Sequence, residues 1–323
     1  MSTLYYILLF VILVICEVGY IKLARKYLIG AKEEKRSSHK GYRLSGGGII
    51  FILSAIIYYI YNRFAGHRLP AEFNTMIIGA IALAIISFID DIHNLSPGIR
   101  LFVHTLVIGT TFSSYLISGQ YDIFLLILLG GIGFFNAYNF MDGIDGIMAG
   151  YSIVSLGTLY YCYISIPDFS ETFILTILIA TIVFAFFNFR KQSVCFAGDV
   201  GSIVMGFFIA YLIIKLIAYT HDATVLIFLI VYAIDTVFTI FQRLFAGENI
   251  LLPHRHHLYQ LMANQWHVPH YKISLGYDVT QLAVNVIYFI IPVYLHWTYF
   301  ILVTIFLSVI YFILKFPALR PYK

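Results

Sequence analysis

Apolar runs long enough to cross a bilayer recur along almost the whole chain, and they dictate what it can fold into. They lie at about 3–21, 47–61, 74–89, 101–117, 121–135, 147–165, 172–188, 200–218, 223–241, 279–296 and 298–316. A span needs ~20 such residues, so eleven spans use ~220 of the 323 in the chain. Within hydrocarbon, backbone N–H and C=O groups must pair inside their own segment, which leaves helices as the natural element. An all-α, polytopic membrane bundle with about eleven transmembrane helices is therefore expected. Composition agrees: 61% of residues are hydrophobic and 11% charged, with a mean hydropathy of +0.88, whereas a soluble domain carries roughly 25% charged residues. A soluble enzyme, a disordered chain and a nucleic-acid binder are excluded, the last because its basic patch would have to be far denser.

Cys16, Cys162 and Cys195 are scattered and suggest neither a disulfide framework nor a thiolate metal site. The first apolar run precedes the first lysine, Lys22, whereas a signal peptide carries its positive charge ahead of the apolar stretch. It reads as a retained helix. Lys and Arg set the orientation. With the N-terminus outside, seventeen of them fall on the inner side and three (Arg63, Arg68 and Lys215) on the outer. The expected topology is N-out, C-in. The inner loops lie near 22–46, 90–100, 136–146, 188–199 and 242–278, all within one integral membrane domain, 1–323. No internal repeat of the transporter kind is visible.

On this topology the aspartates gather. Asp90 and Asp91 end the third helix, Asp142 and Asp145 open the sixth, and Asp199 opens the eighth. Three inner helix ends thus carry five acids. Carboxylates beside hydrocarbon are costly unless paired or bound to a cation, and five together call for a divalent metal. Mg²⁺ suits, since it takes one or two carboxylates plus phosphate oxygens and keeps some water. For Asp142 and Asp199 the ordinary alternative is capping, because acids are stabilised at helix N-termini. Asp90 and Asp91 lie at a C-terminal end, where the dipole disfavours them, and are the stronger functional signal.

The last long loop holds five histidines, His254, His256, His257, His267 and His270, beside Arg255. Such a cluster suits a pyrophosphate-bearing substrate. A zinc site is the rival, though there is neither a nearby Cys nor an HExxH; a plain solvated basic loop is the other. Asp235, inside a span, is expected at the floor of a site. His104 faces either the cleft or the core. Glycines 46–48 either cradle phosphate or pack helices. Glu17 is assigned no role.

These motifs, in this order, resemble the polyprenyl-phosphate N-acetylhexosamine-1-phosphate transferases, glycosyltransferase family 4. The resemblance rests on RSSH…GGG at 36–48, DD at 90–91, NxxNxxDGIDG at 136–146, FN…GDVGS at 187–202 and HRHHLYQ from His254. It covers most of the chain, and eleven spans match the GlcNAc-1-phosphate branch better than the ten-span translocase branch. The resemblance implies that Asn139 and Asp199 contact Mg²⁺ and that Asp90 and Asp91 sit at the lipid-phosphate side. Asp142 and Asp145 would lie at the nucleotide end, with Asn136, Asn188 and Arg100 binding substrate. Arg255 and His257, flanked by His254 and His256, would hold the donor's pyrophosphate or sugar. GlcNAc-1-phosphate enzymes carry DRxHxHH; here His254 replaces the Asp, and Tyr259–Gln260 replace the His pair, a pattern closer to the O-antigen initiating branch.

The resemblance implies transfer of an amino-sugar 1-phosphate from a UDP-sugar to undecaprenyl phosphate, releasing UMP. It would occur at the cytosolic face of a bacterial inner membrane, with no nucleic acid involved, and a homodimer is compatible with it. Direct attack by the lipid phosphate suffices chemically; a route through an aspartyl-phosphate is the alternative. Two rivals come from other classes. An intramembrane prenyltransferase would want two DDxxD-like motifs, and DDIHN and DGIDG depart from that. A proton-coupled transporter would use acids inside spans such as Asp235, with no need of acids on inner loops.

Overall fold

A computed structural model describes residues 1–31, 43–93, 95–166, 170–249 and 254–318. The RSSH stretch, half the basic residues of the first inner loop, and Arg320 and Lys323 lie outside these. The described residues form α1 (Thr3–Tyr27), α2 (Ile49–Phe64), α3 (Ala71–His93), α4 (Pro97–Thr111), α5 (Ser113–Ile117), α6 (Tyr121–Phe140) and α7 (Ile147–Tyr163). There follow α8 (Ser170–Asn188), α9 (Gly198–Thr220), α10 (Ile230–Phe245), α11 (Leu258–Asn264), α12 (His270–Ile290) and α13 (His296–Ala318). A 3₁₀ turn, Ala223–Leu229, leads directly into α10, and another, Val293–Leu295, precedes α13. The strand content of the described residues is a two-residue antiparallel pair, β1 (Gly30–Ala31) with β2 (Arg43–Leu44).

Every one of the eleven expected segments carries a helix. Among the described residues eight are long and apolar enough to cross a membrane, counting Ala223–Phe245 as one, and α2 is a shorter apolar helix. The molecule is a multi-pass membrane protein. Two boundaries differ from expectation. The fourth segment begins at Pro97, just after Ser96, and breaks at Phe112, giving α4 and α5; proline at the first helical position is favourable, its missing N–H costing nothing there. The polar loop read as 242–278 is shorter, because α12 starts at His270. His270, Ser274, Asp278, Gln281 and Asn285 recur every three or four residues along α12 and lower its mean hydropathy, which disguises its first half as loop.

Helix α9 is the centre of the bundle. It is apolar all round, the mark of a fully buried helix, and 83% of its most apolar stretch is buried, against 11% for α13. The outer faces of α1, α6 and α13 expose Leu8, Ile15, Leu126, Leu129, Phe306 and Phe312, as lipid contact requires. Glycine permits one close crossing: a Cβ on Gly48 would lie 2.2 Å from the Gly201 Cα, and Gly47 and Gly48 donate to the carbonyls of Phe196 and Ala197 (2.9 and 3.0 Å). The GGG run thus docks the start of α2 against α9, which settles the choice between packing and phosphate cradle in favour of packing for Gly47 and Gly48.

Candidate active site

The ends of α3, α4 and α9 meet. Asp90 Oδ2 pairs with Arg100 Nη1 at 2.7 Å, and Asp90 Oδ1 accepts the Leu95 amide at 2.6 Å. Arg100 Nη1 also lies 3.8 Å from Asp199 Oδ2. The first turn of α9 leaves amides unpaired within the helix, and one of them, Asp199 N–H, donates to Asp91 Oδ1 at 3.2 Å. Asp91 therefore faces the positive end of α9, which offsets the unfavourable end of its own helix. Gly198 makes this approach possible. Its φ is +71°, and a Cβ would sit 2.8 Å from Asp91 Oδ2 and 2.7 Å from Ser45 Oγ. Asp90 and Asp199 are buried, whereas Asp91 is exposed.

A second cluster forms where α6, α7, α8 and α12 end. Asp145 Oδ2 lies 3.0 Å from His270 Nδ1, and its carbonyl accepts from Ser274 at 2.9 Å. Asn188, fully buried, accepts from the Gly146 amide and donates to the Cys195 carbonyl, both at 3.0 Å. Its amide staples the DGIDG loop to the strand of chain that leads into α9, so its part in the site is to position. Asp142 is half-buried beside it. Asn136 donates to Ile132 O one turn back (2.8 Å). Asn139, half-buried, follows Tyr138, whose Cβ would be 3.0 Å from a Cβ on Gly206 of α9.

The histidine loop folds over the end of α6. His254 and His257 lie 5.8 and 6.4 Å, ring to ring, from Phe140, and Tyr259 donates to the Phe140 carbonyl at 2.6 Å. Helix α11 begins at this loop, and Gln260 accepts the His257 amide at 3.2 Å, as in a capping box. So Tyr259 and Gln260, two of the three residues that depart from the DRxHxHH pattern, have work in the fold. Asp235 lies beneath this loop: it accepts the amides of Leu258 (2.9 Å) and Tyr259 (3.5 Å) and the hydroxyl of Tyr277 (2.8 Å). His257 is 1% exposed, its Nδ1 is 3.4 Å from Asp235 Oδ1, and its Nε2 has no hydrogen-bond partner among the described residues. Arg255 is exposed. Burial and the nearby His257 and Arg243 push the His254 pKa down to about 3, and burial lowers that of His256 against the opposing pull of Glu248. Both shifts favour the neutral imidazole at these two positions. His104 is buried, edge-on to Phe135 at 5.7 Å.

A family model for glycosyl transferase family 4 matches residues 73–217, which contain both aspartate clusters. The chain is 26% identical to a phospho-N-acetylmuramoyl-pentapeptide-transferase of Lactobacillus acidophilus over 271 residues, covering 75% of this chain and 81% of that one. It is 30% identical over 227 residues to a Streptococcus thermophilus protein of the same name, covering 61% and 64%. A probable undecaprenyl-phosphate N-acetylglucosaminyl 1-phosphate transferase of Bacillus subtilis is 26% identical over 241 residues, covering 67% and 63%. Over residues 73–217, just under half of its length, the chain is similar to glycosyl transferase family 4.

The charge balance at these helix ends differs from the sequence expectation. Four of the five acids have a positive or amide partner within the protein: Arg100 meets Asp90 and Asp199, His270 meets Asp145, and the N-terminus of α9 meets Asp91. Among the described residues no group of three His, Cys, Asp or Glu is arranged to hold a metal by itself. Mg²⁺ needs no such cage, because it uses one or two carboxylates with substrate phosphates and water. Asp91 and Asp199, hard oxygen donors joined through an amide hydrogen bond, fit that mode. Sequence reasoning underrated Lys315, counted as a charge of the tail but 2% exposed. The available signal was its place within the last apolar run.

Proposed function

We propose that the protein transfers an N-acetylamino-sugar 1-phosphate from a UDP-sugar to undecaprenyl phosphate and releases UMP, with its site open to the cytosol. The observation that carries this reading is the meeting of Asp90, Asp91, Arg100 and Asp199 at three helix ends, on one side of the bundle. The names of the relatives from Lactobacillus acidophilus and Bacillus subtilis support it. Both substrates are anionic and repel one another, and phosphoryl transfer is chiefly a matter of positioning and electrostatics. A lipid-phosphate oxygen attacks the donor's β-phosphorus in line with the departing UMP. A bound Mg²⁺, held by Asp91, Asp199 and Asn139, would supply Lewis acidity at the phosphate oxygens.

The protein's own residues do the rest. Asp90 holds Arg100 at the acceptor side, where the guanidinium steadies the lipid phosphate. Asp145, oriented by His270, receives the nucleotide end beside Asp142 and Asn136. Arg255 supplies positive charge to the donor's pyrophosphate. His257 offers a ring nitrogen, while neutral His254 and His256 serve as hydrogen-bonding groups. The donor is a small UDP-N-acetylamino sugar on the strength of the eleven spans expected from the sequence and of Tyr259–Gln260, and the product would initiate a cell-envelope polysaccharide of the O-antigen kind. The names of the pentapeptide-transferase relatives favour a second reading, UDP-MurNAc-pentapeptide as donor. Purified protein with undecaprenyl phosphate, Mg²⁺ and a panel of UDP-sugars including both classes decides the matter by UMP release. Pyrophosphate release, or no UMP from any donor, would overturn the proposal.

A further inference from the structure

Lys315 lies in the last turn of α13. Its ammonium donates to Thr239 Oγ1 at 2.8 Å and to the Tyr311 hydroxyl. Thr239 donates onward to Asp235 Oδ1 at 3.3 Å and shares a hydrogen bond with Tyr311 at 2.9 Å. On its other side the Asp235 carboxylate takes the amides of Leu258 and Tyr259 and the hydroxyl of Tyr277. A polar chain thus runs from α13 through α10 to the first turn of α11. Lys315, Thr239, Asp235 and His257 are each 2% exposed or less.

This placement is expensive unless it serves something. A buried ammonium needs an opposing charge, and Asp235, one hydroxyl away, provides it. The converse also holds: an acceptor-only carboxylate can receive all these donors at once, and the ammonium balances the negative charge that the arrangement requires. Cutting either partner leaves the other uncompensated. Along α13 the outward face is lipid-exposed apolar surface, whereas Tyr311 and Lys315 are buried. The polar link from this helix towards the histidine loop therefore runs through Lys315, Tyr311 and Thr239 to Asp235.

We propose that Lys315 is a positioning residue for the transferase reaction. Acting through Thr239 and Asp235, it fixes the first turn of α11, and with it the setting of His257 and Arg255. The inference rests on the reading above in that these two residues meet the donor. The last helix is then a working part of the site.

The test uses the full-length protein in lipid nanodiscs, with K315M, K315R, T239V, D235N and K315M/D235N. Amide exchange is followed by mass spectrometry over 254–264 and, as a control, over 195–205. Turnover is followed with whichever UDP-sugar the wild type uses. K315M should exchange about tenfold faster over 254–264 and as wild type over 195–205. Its kcat should fall about tenfold with KM changed less than about twofold, the split expected of a group that positions the reacting machinery. K315R should recover both, and T239V should loosen the same segment. In the D235N background K315M should add less than about twofold, because partners in one chain are not additive. Wild-type exchange over 254–264 in K315M or T239V would overturn the proposal. So would loosening spread equally over 195–205, which marks a general anchor. Should K315M not fold, T239V and K315R decide. Absence of UMP release by the wild type would defeat the transferase reading alone, and the exchange arm would still judge Lys315.

Discussion

Asp90 and Asp91 are neighbours in sequence and have different partners. Asp90 is buried on Arg100 and the Leu95 amide; Asp91 is exposed and meets the amide end of α9. An amide at position 90 keeps the size of the side chain and removes the charge opposite Arg100. We expect Asp90→Asn and Asp199→Asn each to lower UMP release by about 10²-fold or more, the scale on which preorganised electrostatics act. Both variants should insert and fold, checked by size-exclusion profile and thermal shift; near-normal turnover in either would remove it from the machinery. His254 gives a pH prediction. Its folded pKa, about 3 through burial and the nearby His257 and Arg243, lies below the ordinary value near 6.5. Between those values the unfolded chain binds a proton that the folded one refuses, so stability is full above pH 6.5 and declines as pH falls towards 3. The thermal midpoint of His254→Gln should therefore fall less steeply than wild type between pH 7 and pH 5, and parallel curves would refute the assignment.

Individual helices differ in how plainly their sequences announce them. The outer helices α1 and α13 are legible because their apolar runs are almost unbroken. Helix α12 is legible only in its second half, since it buries polar side chains against the bundle: Gln281 accepts from Tyr151 (2.6 Å) and Val231 N (3.1 Å) and donates to Ile227 O (2.9 Å) and Asn285 (2.7 Å). Asn285 in turn donates to Thr158 at 2.8 Å. A stripe satisfied by partners distant in sequence has no local signature. The aspartate motifs were visible for the opposite reason, since each sits within a few residues of a glycine or asparagine on one loop. What the sequence left hidden is pairing across the bundle, as in Asp91 with α9 and Lys315 with Asp235. Gln281→Leu should destabilise by about 3 kcal/mol or more, because it strands several buried donors and acceptors at about 1–3 kcal/mol each. A thermal midpoint equal to wild type would show that the network carries no stability.

At the scale of the whole molecule, the C-terminal ends of α3, α6, α8 and α10 and the N-terminal ends of α4, α7, α9 and α12 are linked by the contacts described above. They gather at one end of the bundle. The opposite end has its own polar knot, with Asp222 accepting from Thr224 N (2.8 Å) and Tyr288 (3.1 Å) and His296 stacked on Tyr288 at 3.9 Å. The two ends are chemically unlike, so orientation decides function: a charged nucleotide sugar cannot cross hydrocarbon to reach a site on the wrong face. The excess of Lys and Arg on one set of loops argues for N-out, C-in, although Arg243 and Lys315, two of the residues behind that count, are buried. Orientation is open to a direct measurement. Gln120, between α5 and α6, and Gln192, between α8 and α9, are both exposed and belong to opposite ends. In a variant with its three native cysteines replaced, Gln120→Cys should react with a membrane-impermeant maleimide on intact cells. Gln192→Cys should react only after the membrane is opened. The reverse pattern would place the aspartate clusters outside, where nucleotide sugars are not made, and would defeat the proposed reaction as well as the topology.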